Sequence, residues 1–160
     1  MTDFITSDLH LMHENIIRYC NRPFDTVDEM DVTLIQNWND LVGPDDTVYF
    51  LGDLTLNGKL HAEILALLNG NKILIQGNHD PWHPDTAAII IKSFDGVPVL
   101  LVHNPRDVPD WYSGWVIHGH QHNNTPLFNQ DLHRVNVSVE NTDYQPIMIQ
   151  TIIEQIKEVG

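Results

Sequence analysis

The sequence has little cysteine and no long apolar segment. Cys20 is the only cysteine among 160 residues, so an internal disulfide is excluded and a reducing compartment is indicated. We expect its thiol to be a small buried apolar group rather than a nucleophile. No segment approaches the roughly 20 apolar residues that a transmembrane helix needs, and the N-terminus lacks the pattern of a signal peptide. These absences predict a cytoplasmic protein without a membrane partner.

The sequence is also poor in positive charge. It contains 8 lysines and arginines against 22 aspartates and glutamates, which gives a net charge of −14. Proteins that hold long nucleic acids carry a basic stripe that neutralises phosphates. The few cationic residues here are scattered along the chain instead. A long nucleic acid is therefore not expected as a partner.

Length and composition predict one domain spanning residues 1–160. Apolar residues make up 42% of the chain and charged residues 19%, which argues against disorder. The sequence shows no internal repeat, linker or low-complexity segment. A chain of this length is sufficient to bury a core.

Helical patterns alternate with short apolar runs early in the chain, and strands dominate later. Apolar runs bounded by glycine and polar residues predict strands near 3–6, 47–51, 72–76, 87–93, 97–102, 115–118 and 134–139. Helical spacing predicts helices near 13–21, 26–42 and 59–68, and a strand passing into a helix over 147–157. Thr26 and Glu29 form a predicted capping box, and Leu41 belongs to the apolar face of the helix that follows. The pattern predicts an α/β protein.

Polar residues follow five of the predicted strands at the point where each strand ends. The five clusters are Asp8-Leu9-His10, Gly52-Asp53, Gly77-Asn78-His79-Asp80, His103-Asn104 and His118-Gly119-His120-Gln121-His122. In open α/β sheets, ligands bind outside the carboxyl ends of the strands, so we expect these clusters to meet at one edge. Carboxylate, imidazole and amide groups suit divalent ions such as Mn²⁺, Fe²⁺, Ni²⁺ or Zn²⁺. Seven candidate ligands exceed what one ion needs, which indicates two metals.

The five clusters, in this order, resemble the calcineurin-like metallophosphoesterases, and the resemblance extends from Asp8 to His122. It implies a two-sheet β-sandwich flanked by helices, and a hydrolase with two divalent cations, of which Mn²⁺ is favoured. One ion would be bound by Asp8, His10, Asp53 and His122. The other would be bound by the shared Asp53 together with Asn78, His103 and His120. A water bridging the two ions would be the nucleophile that attacks a phosphate ester.

Residues outside the ligand set are also candidates for function. By resemblance, His79 would protonate the leaving group or steady the phosphoryl group, with Asp80 orienting His79. Three residues that follow the first cluster are candidates for contacting a bound phosphate: His13, Asn15 and Arg18. The alternative for Arg18, and for Arg22, is a solvated helix face. We expect His61 to lie on the surface.

The expected partner is a small phosphorylated substrate. Two divalent cations would leave the protein strongly acidic and would reverse the field only locally, inside a cleft. The short chain lacks the cap insertions of many calcineurin-like relatives, which favours a phosphodiester or a nucleotide-type substrate. A phosphomonoesterase acting on a small metabolite or on a protein is the alternative. A non-catalytic scaffold or binding module on the same fold is an alternative of another class.

Overall fold

The computed structural model describes residues 1–160 as nine β-strands and four α-helices. The strands are β1 (Asp3–Thr6), β2 (Thr47–Phe50), β3 (Asn71–Leu74), β4 (Ile89–Phe94), β5 (Val97–Val102), β6 (Trp115–His118), β7 (Phe128–Asn129), β8 (Arg134–Asn136) and β9 (Ile147–Met148). The helices are α1 (Glu14–Tyr19), α2 (Val27–Leu41), α3 (His61–Leu67) and α4 (Ile149–Val159). None of the helices has the length and apolar content that a bilayer crossing requires.

The strands form two sheets. The first sheet has the order β3-β2-β1-β9, in which β1, β2 and β3 are parallel and β9 is antiparallel to β1. The second has the order β4-β5-β6-β8-β7, in which β5, β6 and β8 are parallel and the two outer strands are antiparallel. Each sheet therefore has a parallel centre, and the parallel strands of one sheet are joined by long crossover segments.

Two apolar cores hold these layers together. On β1, Phe4 packs into the core that α1, α2 and α3 form against the first sheet, whereas Ile5 packs into the core between the sheets. Helix α4 contributes four isoleucines to the second core: Ile149, Ile152, Ile153 and Ile156. Because successive side chains of a strand point to opposite faces, a strand buried on both faces is apolar throughout. The predicted α/β class and the two-sheet sandwich flanked by helices are confirmed.

The carboxyl ends of parallel strands from both sheets meet at one edge. A parallel bridge between Ser7 and Ser138 joins the segments that follow β1 and β8. In the same place, the backbone N–H of Val139 donates to the carbonyl of Ser7 at 3.2 Å. The five predicted polar clusters lie at the ends of β1, β2, β3, β5 and β6. The topology thus brings residues from all five segments to the same edge.

Some element boundaries differ from those predicted from the sequence. Strand β3 ends at Leu74 rather than at residue 76. The N–H of Ile75 still donates to the carbonyl of Phe50 in β2, but the N–H of Gln76 donates to the carbonyl of Ala87, so the chain leaves β2 at this point. The strand predicted over 134–139 ends at Asn136, because Val139–Asn141 forms a 3₁₀ turn. Strand β7 was not predicted, since its two residues are too few to show a periodicity.

The start of α2 confirms half of the predicted capping box. The hydroxyl of Thr26 accepts from the N–H of Glu29 at 3.1 Å. The carboxylate of Glu29, however, accepts from the N–H of Asp25 at 2.8 Å and not from that of Thr26. At the other end of the helix, Leu41 is 43% exposed, so its expected place on the apolar face is wrong.

Asp31 connects α2 to the loop that follows β1. Both of its carboxylate oxygens lie 3.0 Å from the backbone nitrogen of Met12, which donates to them. Burial raises the pKa of Asp31 to about 6, against the lowering effect of the Met12 N–H, and the charge of Asp28 raises it further. The ionised form of Asp31 is therefore less favourable in the folded protein than in the unfolded chain.

We expect Asp31→Asn to change the pH dependence of thermal stability. The folded protein keeps the Asp31 proton up to about pH 6, whereas the unfolded chain releases it near 3.8. Ionisation therefore lowers the free energy of unfolding as the pH rises between these values. The Tm of Asp31→Asn minus that of the wild type should rise from pH 4 to pH 6 and stay constant above. Asp40→Asn, an exposed site on the same helix, is the control, and an equal slope for both variants would contradict the assignment.

Candidate metal centre

Six of the seven predicted ligands form two groups at the shared edge of the sheets. One group contains Asp8, His10 and His122, and the other contains Asp53, His103 and His120. Within each group, one ligand atom from each residue lies within 4.8 Å of the others. Asp53 also joins the two groups, because its Oδ2 is 3.4 Å from His10 Nε2 and 3.3 Å from His103 Nε2. A ligand shared by two ions has to occupy this kind of position.

Several ligand atoms at this centre are buried without a hydrogen-bond partner. They include Asp8 Oδ1, His10 Nε2 and His103 Nε2. An unsatisfied buried polar group costs about 1–3 kcal/mol, so three of them close together indicate a bound species that satisfies them. Asp8 Oδ1 is 3.8 Å from the Nε2 atoms of both His10 and His122. Two ligands bound tetrahedrally at ~2.1 Å from one cation lie roughly 3.4 Å apart, so the spacing and the donor types fit divalent cations.

The second oxygen of each carboxylate is held by the protein. Asp8 Oδ2 accepts from the backbone N–H of His120 and from the hydroxyl of Ser138, both at 2.9 Å. Asp53 Oδ1 accepts from the backbone N–H of His79 at 2.9 Å. These bonds fix the rotation of each carboxylate and direct the other oxygen into the centre. Partners of this kind orient metal ligands in proteins.

The histidines are oriented in the same way. His103 Nδ1 lies 2.7 Å from the carbonyl oxygen of Leu51, and His122 Nδ1 lies 2.9 Å from Glu140 Oε1. Both partners are acceptors, so each Nδ1 carries a proton and donates it. The Nε2 of each ring faces the centre and, once it has lost its proton, presents the lone pair that binds a metal.

The centre has the electrostatics of a cation site. Burial opposes the charge of Asp8 and of Asp53, but the neighbouring histidines outweigh burial and hold the pKa of both carboxyl groups well below the usual range. Burial also opposes the charge of His103, yet Asp53 and Asp8 raise its pKa to about 9. For His122, Cys20 and Glu140 overcome burial and raise the pKa to about 10. Protons thus compensate the carboxylates, and a cation that binds has to displace them.

The backbone is strained at the ligand positions. Eleven residues other than glycine have a positive φ, and five of them are candidate ligands: Asp8 (61°), His10 (51°), Asp53 (60°), His120 (68°) and His122 (49°). Such a conformation costs on the order of 1 kcal/mol or more for a residue with a Cβ, and it clusters at functional sites. The rest of the fold therefore stabilises ligand loops that their own backbone preferences oppose.

Two glycines allow the ligand loops to approach one another. A Cβ on Gly77 would lie 2.3 Å from both the backbone nitrogen and Oδ1 of Asp53. A Cβ on Gly119 would lie 2.4 Å from Oδ2 of Asp8 and 2.0 Å from the hydroxyl oxygen of Ser7. Gly77 and Gly119 thus each leave room for a carboxylate supplied by another cluster.

The structure shows how Asp80 acts on the loop that carries His79. Its carboxylate accepts from the backbone N–H groups of Asp53, Leu54 and Gly77 at 2.8–3.0 Å, and it does not contact the ring of His79. Asp80 therefore fastens the loop after β3 to the loop after β2. His61 Nε2 lies 3.5 Å from Asp80 Oδ1 and its side chain is 13% exposed, so the expectation that His61 is a surface residue is wrong.

His79 and Asn78 are exposed at the rim of the centre. The ring of His79 is 5.4 Å from that of His10, measured between centroids. Neither side chain donates or accepts a hydrogen bond within the protein, so both are free to contact a bound molecule. The metal-ligand role of Asn78 stays a prediction, supported by its place between Gly77 and His79.

The three candidate phosphate contacts separate in the structure. His13 lies at the centre, with its Nδ1 3.3 Å from His10 Nδ1. Burial, and after it the positive charge of His10 and His79, lowers the pKa of His13 to about 4. Asn15 and Arg18 instead bond to each other at 2.8 Å. They line a surface depression with Glu14, Ile17 and Asp25, which contains none of the candidate ligands.

A buried ion pair that no sequence pattern predicted lies behind the centre. Arg22 is 4% exposed and donates to Glu140 at 2.8–3.0 Å. Its guanidinium also donates to the carbonyls of Asp8 at 2.8 Å and Leu9 at 2.7 Å. The expectation that Arg22 lies on a solvated helix face is therefore wrong. Glu140 bonds in turn to His122, so the pair supports the backbone of one ligand and the ring of another. Cys20 is buried beside them, as predicted.

Glu140→Gln should weaken one of two metal-binding events. The substitution keeps an acceptor for His122 but removes the charge that polarises its ring, and such changes cost about 10–100-fold in metal affinity. We expect calorimetric titration with Mn²⁺ to show this loss for one ion only, because Glu140 does not contact the group of Asp53, His103 and His120. Glu154→Gln, at an exposed position of α4, is the matched control. Equal affinities for all three proteins would contradict this role of Glu140.

Comparison with known proteins gives two similar sequences over most of the chain. No family model matches the chain. It is 42% identical to the uncharacterized protein MJ1445 of Methanocaldococcus jannaschii, over 97% of this chain and 91% of that protein. It is 32% identical to the gene 66 protein of Mycobacterium phage L5, over 85% of this chain and 84% of the phage protein.

Two solved structures are similar to the fold. A protein of unknown function from Aquifex aeolicus, AQ665, has a TM-score of 0.74 and 26% identity, over 96% of this chain and 98% of that chain. Vps29 from Entamoeba histolytica, as its D62A mutant, has a TM-score of 0.50 and 17% identity, over 85% of this chain and 73% of that chain. The likeness to Vps29 concerns the fold alone. The chain thus has the calcineurin-like metallophosphoesterase fold, and it belongs to the family of the archaeal protein MJ1445 and the phage L5 gene 66 protein.

Proposed function

We propose that the protein is a phosphoesterase that depends on two divalent cations. The observation that carries this proposal is the position of Asp53, whose Oδ2 faces the orphaned Nε2 atoms of both His10 and His103. One carboxylate oxygen between two sets of free lone pairs is suited to two cations close together. The chemistry that such a pair supplies is activation of water and neutralisation of the phosphoryl oxygens. Mn²⁺ is the proposed ion, with Fe²⁺, Ni²⁺ and Zn²⁺ as alternatives.

His79 is the proposed proton donor to the leaving group. Its backbone N–H is tied to Asp53 Oδ1 at 2.9 Å, so the residue keeps a constant position relative to the centre. Its ring is exposed and makes no hydrogen bond with the protein, so it is free to donate to the oxygen of an ester that binds there. Asp80 contributes indirectly, since it holds the loop that carries His79 against the loop of Asp53.

The proposed substrate is a small phosphate ester, with a phosphodiester or nucleotide-type molecule favoured over a phosphomonoester. A net charge of −14 disfavours a long polyanion. Asn78 and His79, which follow β3, are exposed, so their side chains are accessible to the ester groups of a substrate. A binding module without catalysis is the competing function. Such a module does not require buried ligand atoms without partners, strained ligand backbone and oriented imidazoles, which this chain combines.

Hydrolysis of two nitrophenyl esters by the metal-loaded protein tests the proposal. We expect turnover of bis(p-nitrophenyl) phosphate, slower turnover of p-nitrophenyl phosphate, and loss of both when a chelator removes the metal. A faster reaction with the monoester would favour the phosphomonoesterase alternative. Lack of turnover with all four candidate ions would contradict catalysis and favour the binding module.

Asp53→Asn should abolish the binding of two cations while the fold persists. The substitution keeps an oxygen for the His79 N–H, but it removes the negative charge between the two ligand groups. Turnover should fall by roughly 10²-fold or more, as for the loss of other groups that stabilise transition-state charge. The measurements are metal content, circular dichroism and hydrolysis rate, with Asp110→Asn in an exposed turn as control. A folded Asp53→Asn protein with full turnover would refute the shared-ligand assignment.

His79→Ala should affect substrates according to their leaving group. Nitrophenolate leaves without protonation, so its diester should lose little turnover. An alkoxide of the ribose type needs the proton, so its diester should lose roughly 10²–10⁴-fold. Both rates are measured on one preparation, so errors in metal loading cancel. His83→Ala, at an exposed histidine, is the control. Equal losses with both substrates would assign His79 to substrate binding instead of proton transfer.

A further inference from the structure

A pocket rich in arginine lies next to the candidate metal centre on the outer side of the second sheet. This arginine pocket has a volume of about 220 Å³ and is lined by Pro105, Arg106, His118, Gln121, Thr125, Pro126, Asn129, Leu132 and Arg134. It is distinct from the ligand set, since none of the seven candidate ligands lines it. The chain has only eight lysines and arginines, and two of them meet here.

The positive charge of the arginine pocket is not compensated within the protein. Neither Arg106 nor Arg134 has a carboxylate within salt-bridge distance, and neither guanidinium donates a hydrogen bond to another residue. No aspartate or glutamate lines the pocket, although the chain contains 22 of them. Burial lowers the pKa of Arg134, so its charge is partly withdrawn from water. Arg22 shows the contrast, since its buried charge is paired with Glu140.

Two amide side chains add neutral donors. Gln121 Oε1 accepts from the hydroxyl of Thr125 at 3.0 Å. Asn129 Oδ1 accepts from the backbone N–H of Leu132 at 3.1 Å. The oxygens of both amides are therefore used within the protein, whereas their NH₂ groups have no partner. Two guanidiniums and two NH₂ groups without partners supply hydrogen-bond donors that suit a phosphate.

The arginine pocket and the metal centre are built on the same segments. Arg106 lies in the turn that follows His103, and Gln121 lies between the ligands His120 and His122. Arg134 begins β8 and pairs with Val116 of β6, the strand that leads to those two ligands. The arginine pocket therefore adjoins the segments that carry candidate ligands, so a substrate with two phosphates would extend from the centre along these segments.

We propose that the arginine pocket binds a second phosphate of the substrate, so that the substrate class is a nucleotide-type phosphate ester with an additional phosphate group. This inference rests on the proposed function of the adjacent centre. It explains why an otherwise acidic chain has a cluster of uncompensated positive charge, because a substrate with two phosphates needs positive charge at two places. The metal centre would supply one of them and the two arginines the other.

A binding experiment tests the arginine pocket independently of catalysis. Thymidine 3′,5′-bisphosphate and thymidine 5′-monophosphate are titrated calorimetrically into the metal-loaded protein. The wild type should bind the bisphosphate at least about tenfold more tightly, since hydrogen bonds between charged groups exceed the free energy of a tenfold change. The affinity ratio should fall towards one in Arg134→Gln and in Arg106→Gln. Arg106 is exposed, so its variant keeps the test valid if Arg134→Gln is unstable. Lys157→Gln, which removes the same charge outside the arginine pocket, is the control.

A kinetic experiment asks whether the second phosphate belongs to a substrate. The p-nitrophenyl ester of thymidine 5′-phosphate is compared with the same ester carrying a 3′-phosphate. The KM of the ester with the 3′-phosphate should be lower by about the factor by which the bisphosphate binds more tightly than the monophosphate. Both arginine variants should remove this difference in KM. A wild-type affinity ratio near one, or a ratio that both arginine variants retain, would overturn the proposal. The proposal would also be overturned if the affinity ratio depends on the arginines but the two esters have equal KM values. If neither ester is hydrolysed, the proposed function fails, and the affinity ratio still decides what the pocket binds.

Discussion

The structure of the candidate site depends on one buried carboxylate, that of Asp53. Its Oδ2 lies between the free nitrogens of His10 and His103, and its Oδ1 accepts the backbone N–H of His79. Its own N–H is bound by Asp80. A single residue thus joins segments that follow β1, β2, β3 and β5. Because the carboxylate is buried at the meeting point of these segments, it links the two groups of candidate ligands.

The surrounding residues form a second layer in which charges of opposite sign alternate. Arg22 neutralises Glu140, Glu140 orients His122, and the free nitrogen of His122 faces Asp8. Ser138 fixes the other oxygen of Asp8 by a hydrogen bond. Each of these contacts occupies the outward atom of a ligand and leaves the inward atom free. The layer also explains how a strained ligand backbone is tolerated, since buried contacts hold the loops in place.

The calcineurin-like fold is shared with Vps29 of Entamoeba histolytica at low sequence identity, so the fold does not define the function of this chain. The arguments for function come from the site, namely lone pairs without partners, oriented rings and a carboxylate between two ligand groups. The arginine pocket adds a feature of this chain's own. In a protein with a charge of −14, this cavity is free of carboxylates and lined by two unpaired arginines, and it is the place proposed for a second phosphate.

The sequence by itself determined the positions of the strands other than β7 and of the candidate ligands, because both depend on local order along the chain. Short apolar runs encode strands buried on both faces, and the polar residues that follow, such as Asp8 and Asp53, lie where the chain leaves the sheet. The partners of those residues depended on the tertiary structure. Arg22 and Glu140 are 118 positions apart, and Asp80 contacts the backbone of another loop instead of the neighbouring His79. The arginine pocket combines three segments in the same way. Such contacts are decided by strand order and loop geometry, which bring together residues that no spacing along the chain relates.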